Sequence, residues 1–383
     1  MKIHLFNYLI AGGMALLMGA CNDSESDLLE PKVYFENKEF NLPVEDGSDV
    51  LTFSLQSRLS TMTSSQVDVQ YTIADASVLE TYNAQYGTSY EMFDTEHVTL
   101  SDQTATIPEG KLYADKVEVK LSGLDALKEG KTYVVPVRVN SDGVPTLPGT
   151  NVAYYLLSKP IKITKVGQFN TSWYEDSYIR VRFPVGTYFS SFTYEALVYV
   201  NSFGGNNTIM GTEGVMQFRI GDDPGVPYNC LEIAGRQKYN VTKPLESKRW
   251  YHVAITYEQP TGKTGIYVNG DKWAGSEWGI DGFDPNSDVG FYIGRINGFE
   301  WGERPLNGYM SEVRVWSVAR TENQLKQNML GVDPTSEGLA LYYKLDGTEI
   351  QEDGKIKDAA KGINGTTGGS ITIKTLDAPI AIN

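Results

Sequence analysis

Apolar and polar side chains alternate with period two at many points along this chain, and that pattern commits it to β-structure. Val67, Val69, Tyr71 and Ile73 are separated by Asp68, Gln70 and Thr72; Val117, Val119 and Leu121 by Glu118 and Lys120; Val135, Val137 and Val139 continue the pattern. Successive side chains of a strand point to opposite faces, so each run has one buried face and one wet face. The period returns further on. Val253, Ile255 and Tyr257 alternate with His252, Ala254 and Thr256. Val289, Phe291 and Ile293 alternate with Gly290, Tyr292 and Gly294, and Val313 and Val315 flank Arg314. Tyr194 to Val200 is a further strand, and Thr264 to Val268 runs into Asn269-Gly270, the strongest short hairpin signal. An aromatic content of 11%, with 24 Tyr and 38 Gly, suits many strands joined by tight turns.

Two short helices interrupt the strands. Ser77 to Glu80 fits a capping box, Leu79, Tyr82 and Tyr86 then share a face, and Gly87 supplies the stop. Thr321 caps a second helix with Gln324 at its third position, and Leu325 and Met329 give that helix its apolar side.

The first residues address the chain. Lys2 precedes an apolar run from Leu9 to Met18, too short to span a bilayer, and the run ends Leu17-Met18-Gly19-Ala20-Cys21. This resembles the lipobox of bacterial lipoproteins. The resemblance implies a signal peptide over 1–20 and Cys21 as an acylated N-terminus anchored in the outer membrane. The acidic run Asn22-Asp23-Ser24-Glu25-Ser26-Asp27 resembles a surface-export signal of Bacteroidetes lipoproteins, which implies exposure at the cell surface. Residues 21–30 then act as a solvated tether.

Two modules follow. Residues 31–160 carry Tyr82 to Tyr90, Ala105-Thr106-Ile107-Pro108-Glu109-Gly110 and Tyr133-Val134-Val135-Pro136-Val137. These resemble an N-terminal domain of unknown function in Bacteroidetes surface lipoproteins, which implies an immunoglobulin-like β-sandwich serving as a spacer. Residues 161–171 are expected to form a short, stiff linker. Residues 172–383 carry, in order, Trp250-Tyr251-His252-Val253-Ala254, Gly265-Ile266-Tyr267-Val268-Asn269-Gly270, Tyr292-Ile293-Gly294 and Gly308 to Trp316. Together they resemble the laminin G-like, concanavalin A-like lectin/glucanase fold, a jelly-roll sandwich. The segment Leu341 to Asp346, with Asp358 and Asn364-Gly365, resembles an element that relatives carry at the start of this domain. Its place at the end here fits a fold whose terminal strands are neighbours. The expected fold class is therefore all-β, an immunoglobulin-like sandwich followed by a concanavalin A-like jelly roll.

Several functions are disfavoured on chemical grounds. A formal charge of −15 gives no electrostatic case for nucleic acid. With Cys21 used by the anchor, Cys230 has no partner for a disulfide within one mature chain. Retaining glucanases of this superfamily carry Glu-x-Asp-x-Glu, or one residue more, along one strand, because the chemistry needs two carboxyls about 5 Å apart. Residues 172–383 contain no such run; Glu25 to Glu30 has the spacing but lies in the tether. No catalytic residue is assigned, and an enzyme is not the favoured reading. His252, in a central strand, reads as a packed residue.

Binding by stacking remains. Sugar rings present C–H faces to exposed aromatics, while neighbouring polar groups bond the hydroxyls. Trp273, Trp278 and Trp301 lie near Gly275, Gly279, Gly298 and Gly302, so they are expected in loops as carbohydrate contacts. Asp281, Asp284 and Asp288 lie between them in sequence and would accept from hydroxyls, with calcium as an optional ligand. Relatives also place a calcium-coordinating Asp just before the Glu312 strand, where this chain has Ser311. The leading expectation is a surface lipoprotein that captures a polysaccharide or oligosaccharide, alongside other glycan-uptake proteins. A glycoside hydrolase with a different site, or a protein-binding adhesin, stays open.

Overall fold

The protein is described here from a computed structural model covering residues 30–171, 176–222, 225–286, 289–349, 353–369 and 371–382. Cys21, residues 1–20 and Asp288 lie outside the described residues. The chain divides into two compact units. The first holds residues up to Glu80, Glu91–Leu127 and Thr132–Ser158; the second holds Thr81–Tyr90, Lys128–Lys131 and the chain from Lys159 onward.

The first unit is a sandwich of two main sheets, with a separate two-stranded pair, Val33–Tyr34 and Arg58–Leu59. One sheet runs Glu39–Pro43, Val152–Ser158, Tyr133–Ser141, Val67–Ile73, Thr104–Ile107; the other runs Leu51–Leu55, Val117–Leu121, Val98–Leu100. The alternation lands as read: Val67, Val69 and Tyr71 are buried, and Asp68, Gln70 and Thr72 are exposed. Val119, Val137 and Leu157 close the core around Tyr71, whose hydroxyl lies 2.8 Å from Ser57 Oγ and is not stranded. The helix expected to open at Ser77 runs Ala76–Tyr86 instead, which puts Ser77 inside its first turn. The Asp75 carbonyl already accepts from the Val78 N–H at 3.0 Å, so the turn closes two residues earlier than the capping pattern implied. Gly87 follows the helix in the left-handed region, at φ 59.

The second unit is a larger antiparallel sandwich of two sheets. The first sheet runs Asp271–Glu277, Lys263–Val268, Trp250–Glu258, Phe192–Val200, Gly308–Trp316, Lys165–Phe169, Thr372–Thr375, with Leu339–Tyr343 also paired to Gly308–Trp316. The second runs Tyr239–Asn240, Val226–Gly235, Met216–Asp222, Asn207–Thr212, Phe291–Ile293, Tyr178–Val181, Gly365–Gly368, Lys355–Ile356. Tyr194, Ile255 and Val313 of one sheet meet Phe218, Ile233 and Phe291 of the other in a dry core. Asn269 (φ 52) and Gly270 (φ 79) make the expected two-residue hairpin turn.

Two expectations are corrected. Residues 161–171 are not simply a linker, because Lys165–Phe169 is a strand between Gly308–Trp316 and Thr372–Thr375. The run is short and Gly167 hides its alternation, but Val166 and Phe169 are fully buried. Trp273 does not lie in a loop either. It sits in the edge strand Asp271–Glu277, whose polar, glycine-bearing sequence reads like a turn.

Candidate functional site

The outer face of the second sheet carries the best-formed cluster of polar and aromatic groups. Four strands place it there by alternation. Phe218 and Ile220 point into the core, so Gln217 and Arg219 point out. Leu231 and Ile233 are inward, so Glu232 and Ala234 are outward. Phe291 and Ile293 leave Tyr292 outside, and Ile179 and Val181 leave Arg180 outside. Register then lines these residues up across the strands. Ala234 pairs with Gln217, Gln217 with Gly211, Gly211 with Tyr292, Tyr292 with Arg180, and Arg180 with Thr366.

Gly211 is required at the middle of this row. It has φ 130, and a Cβ there would meet the Met216 carbonyl oxygen at 2.3 Å. The face therefore has no side chain between Gln217 and Tyr292. Gln217 is fully buried, yet among the described residues neither atom of its amide has a hydrogen-bond partner; the buried Thr208 hydroxyl has none there either. A buried amide without a partner costs about 1–3 kcal/mol, so a fold keeps one only for a reason.

Beside this row lies an ion-pair network. Arg219 donates from Nε to Glu232 Oε2 at 2.7 Å, and its Nη2 lies 2.7 Å from Asp222 Oδ2. Glu213 lies 3.9 Å from Arg219 and pairs with Arg304 at 2.6 Å. Burial pushes the Glu232 carboxyl above its ordinary range, against the pull of Arg219. Arg304 lies over the Phe299 ring at 5.0 Å, and its carbonyl accepts from the Thr208 N–H at 2.9 Å. That bond ties the loop 296–304 to the sheet. Glu303 holds the loop in shape by accepting from the Gly298 N–H at 2.7 Å and pairing with Arg295, and Trp301 stands at its tip, 77% exposed.

The residues expected from sequence are not brought together. Trp301 is exposed, as a stacking ring must be. Trp278 is a core residue, 7% exposed, set between Tyr239 at 5.7 Å and Tyr257 at 5.8 Å, and it offers no face to a ligand. Trp273 is the extra residue of a bulge in its edge strand; it is half-buried, with the Lys243 ammonium 4.2 Å from its ring centre. Trp273 lies in the edge strand of the first sheet and Trp278 directly follows that strand, whereas Trp301 follows a strand of the second sheet. Asp281 and Asp284 are exposed, and Asp284 accepts from the Asn286 N–H at 2.8 Å, shaping its own turn. Among the described residues no three His, Cys, Asp or Glu side chains gather as a metal site would need. The Ser311 hydroxyl donates to the Lys344 carbonyl at 2.8 Å, and Glu312 beside it is buried and accepts from the Tyr342 hydroxyl. Neither side chain is free to act as an exposed calcium ligand.

Sequence reasoning missed Gln217, Arg219, Glu232 and Arg180. Their alternation was visible in Met216 to Ile220 and in Ile179 to Val181, but alternation says which residues share a face and not what that face meets.

This is the architecture of the concanavalin A-like lectins and glucanases, and the comparisons agree. The family model for the concanavalin A-like lectin/glucanases superfamily, a laminin G-type domain, matches residues 174–326, and a model of an N-terminal domain matches residues 29–145. A Bacteroides ovatus protein of known crystal structure, provisionally described as carbohydrate-binding, is 70% identical. The match covers 92% of this chain and 100% of that one, with a TM-score of 0.62. The chain belongs to the same family, with that N-terminal domain followed by a laminin G-like, concanavalin A-like domain. Two more distant structures match in part. Bacteroides thetaiotamicron EndoBT-3987 with a Man5GlcNAc product is 24% identical over 31% of this chain and 28% of its own, at a TM-score of 0.28. The heptameric SAP-like pentraxin of Limulus polyphemus is 13% identical over 57% of this chain and 98% of its own, at 0.37. Neither is near enough to bear on function. No curated protein matches the chain in sequence.

Proposed function

We propose that this protein binds carbohydrate through its C-terminal domain, on the outer face of the second sheet and the adjoining Trp301 loop. The observation that carries this reading is the 70% identity, over the whole length of the relative, to a protein described as carbohydrate-binding. The chemistry of the face supports it. The exposed Trp301, on the loop tied to this face, offers its ring to sugar C–H faces. The carboxylates of the face fit binding better than cleavage. Glu232 and Asp222 both pair with Arg219, and Glu213 pairs with Arg304. A retaining hydrolase instead needs one carboxyl free as nucleophile and one as acid.

With Cys21 acylated, the protein is held on the outer face of the outer membrane, where it captures glycan for uptake. The test is a glycan array on the purified protein, followed by calorimetry on the hits. Saturable binding without release of reducing sugar is the expected result. Reducing-sugar release that disappears on Glu232→Gln would replace the reading with a hydrolase. For the anchor, Cys21→Ala should move the protein from the membrane to the soluble fraction; retention of the variant in the membrane overturns that part.

A further inference from the structure

We infer that the glycan recognised at this face carries an anionic substituent, a carboxylate or a sulfate, and that Arg180 receives it. The inference rests on the carbohydrate-binding reading and concerns which glycans are taken.

The arginines near this face differ in how their donors are used. Arg219 is spent on Glu232 and Asp222, and Arg304 on Glu213. Arg180 has no carboxylate partner among the described residues, and its Nε is buried without a hydrogen bond. What holds it is a ring: its guanidinium carbon lies 5.7 Å from the centre of Tyr292, which Tyr178 steadies edge-on at 5.6 Å. A ring face attracts a guanidinium without using its N–H groups, so the donors stay available. Gly290, at φ 87, packs against the guanidinium: a Cβ there would stand 3.3 Å from Arg180 Nε and 3.5 Å from Nη2.

A guanidinium with no carboxylate partner among the described residues, in a chain of formal charge −15, has donors left for an anion. A planar fork of donors matches a carboxylate or sulfate, and such charge-assisted pairs are roughly twice as strong as neutral hydrogen bonds.

The experiment uses matched pairs on the purified protein. Uronate-containing oligosaccharides from polygalacturonate and alginate are compared with their carboxyl-reduced counterparts, and sulfated oligosaccharides with their desulfated counterparts. Calorimetry reads the affinity ratio within each pair. The acidic member of at least one pair should bind tenfold or more tighter, with a ratio that shrinks as salt is raised. Arg180→Gln should bring that ratio close to one without changing the melting temperature, and Arg180→Lys should restore part of it. The uronate and sulfate arms tell which anion is read. Equal binding of both members by the wild type overturns the acidic preference alone. A ratio unchanged in Arg180→Gln overturns the role of Arg180. Binding of no member of any pair overturns the carbohydrate reading as well.

Discussion

The second unit buries polar side chains on the outer faces of both its sheets, and the two sets differ in whether their bonding capacity is spent. Behind the first sheet, Glu195 is fully buried and heavily engaged. Its Oε1 accepts from Trp316 Nε1 at 2.5 Å and Arg320 Nη1 at 2.9 Å, and its Oε2 lies 3.0 Å from His252 Nε2. Arg314 Nε stands 3.4 Å away. The guanidinium groups are used in turn: Arg314 donates to the Asn328 carbonyl at 2.9 Å and Arg320 to Asn328 Oδ1 at 2.6 Å. Burial would raise the Glu195 carboxyl, but Arg314, Arg320 and His252 outweigh it and hold it well below the ordinary carboxylate range. On the second sheet, Gln217 and the Thr208 hydroxyl are just as buried and have no partner among the described residues. The first cluster is a strut built round a fully bonded carboxylate, with Arg314 Nε and His252 Nδ1 left over; on the second sheet both atoms of the Gln217 amide are left over. Polar burial alone does not describe such a cluster; what differs is whether its central group is bonded.

The contrast breaks hardest at Glu195. Glu195→Ala leaves Arg314 and Arg320 buried without their anion, a change that costs about 3–5 kcal/mol. Urea unfolding should show that loss, and a loss below about 1 kcal/mol would mean the network is not a strut. The two tryptophans sharpen the comparison next. Trp278→Ala removes a core ring and should cost about 3–4 kcal/mol of stability, with affinity per folded molecule unchanged. Trp301→Ala should leave the melt where it is and cost about 1–3 kcal/mol of glycan binding. The opposite assignment of the two effects would refute both placements.

Gln217→Leu is the finest probe of the unsatisfied face. Replacing an unpartnered buried amide by an apolar group of similar size should leave stability equal or raise it by about 1 kcal/mol. A destabilised variant would mean that the amide is already bonded in the folded protein. The smallest effect belongs to the strut side. Burial pushes Glu312 up to about 7. Its folded-state pKa is above its unfolded value, so its contribution is present at low pH and lost as pH rises through about 7. His252, lowered by burial, acts in the opposite sense, but only below its unfolded value of 6.5. Between about pH 6.5 and 8 the Glu312 contribution should therefore fall by up to about 1 kcal/mol; Glu349, also pushed by burial up to about 7, adds a fall of the same sign, so Glu312→Gln should lessen the slope and leave the Glu349 part. Matched urea midpoints at the two pH values read it.

Much of the local structure was legible in the sequence. Thr321 and Gln324 form the reciprocal capping box expected of them, and Leu325 is buried beneath it. Asn269-Gly270 turns the hairpin where its dipeptide said it would. His252 is packed, as a strand-centre residue of that kind usually is. The site was less legible. Gly275 and Gly279 look like marks of loops, but Gly275 lies in a paired edge strand and Trp278 covers the core just after it. Glycine does signal turns, yet an edge strand with one face wet tolerates it along with the Lys272, Ser276 and Glu277 around it.

The chain's own sequence determined that it is all-β, where its hairpins and caps fall, and which side chains share a face. Those are properties of single strands and turns, set by steric rules that act over a few residues. Tertiary structure decided that Arg180, Gly211, Gln217 and Tyr292 stand in one row. Their neighbours come from strands up to about 110 residues apart in sequence, and only register across the sheet brings them side by side. It decided too that Glu195 is bonded from every side while Gln217 is not, because a side chain's partners come from the strands and loops that pack around it.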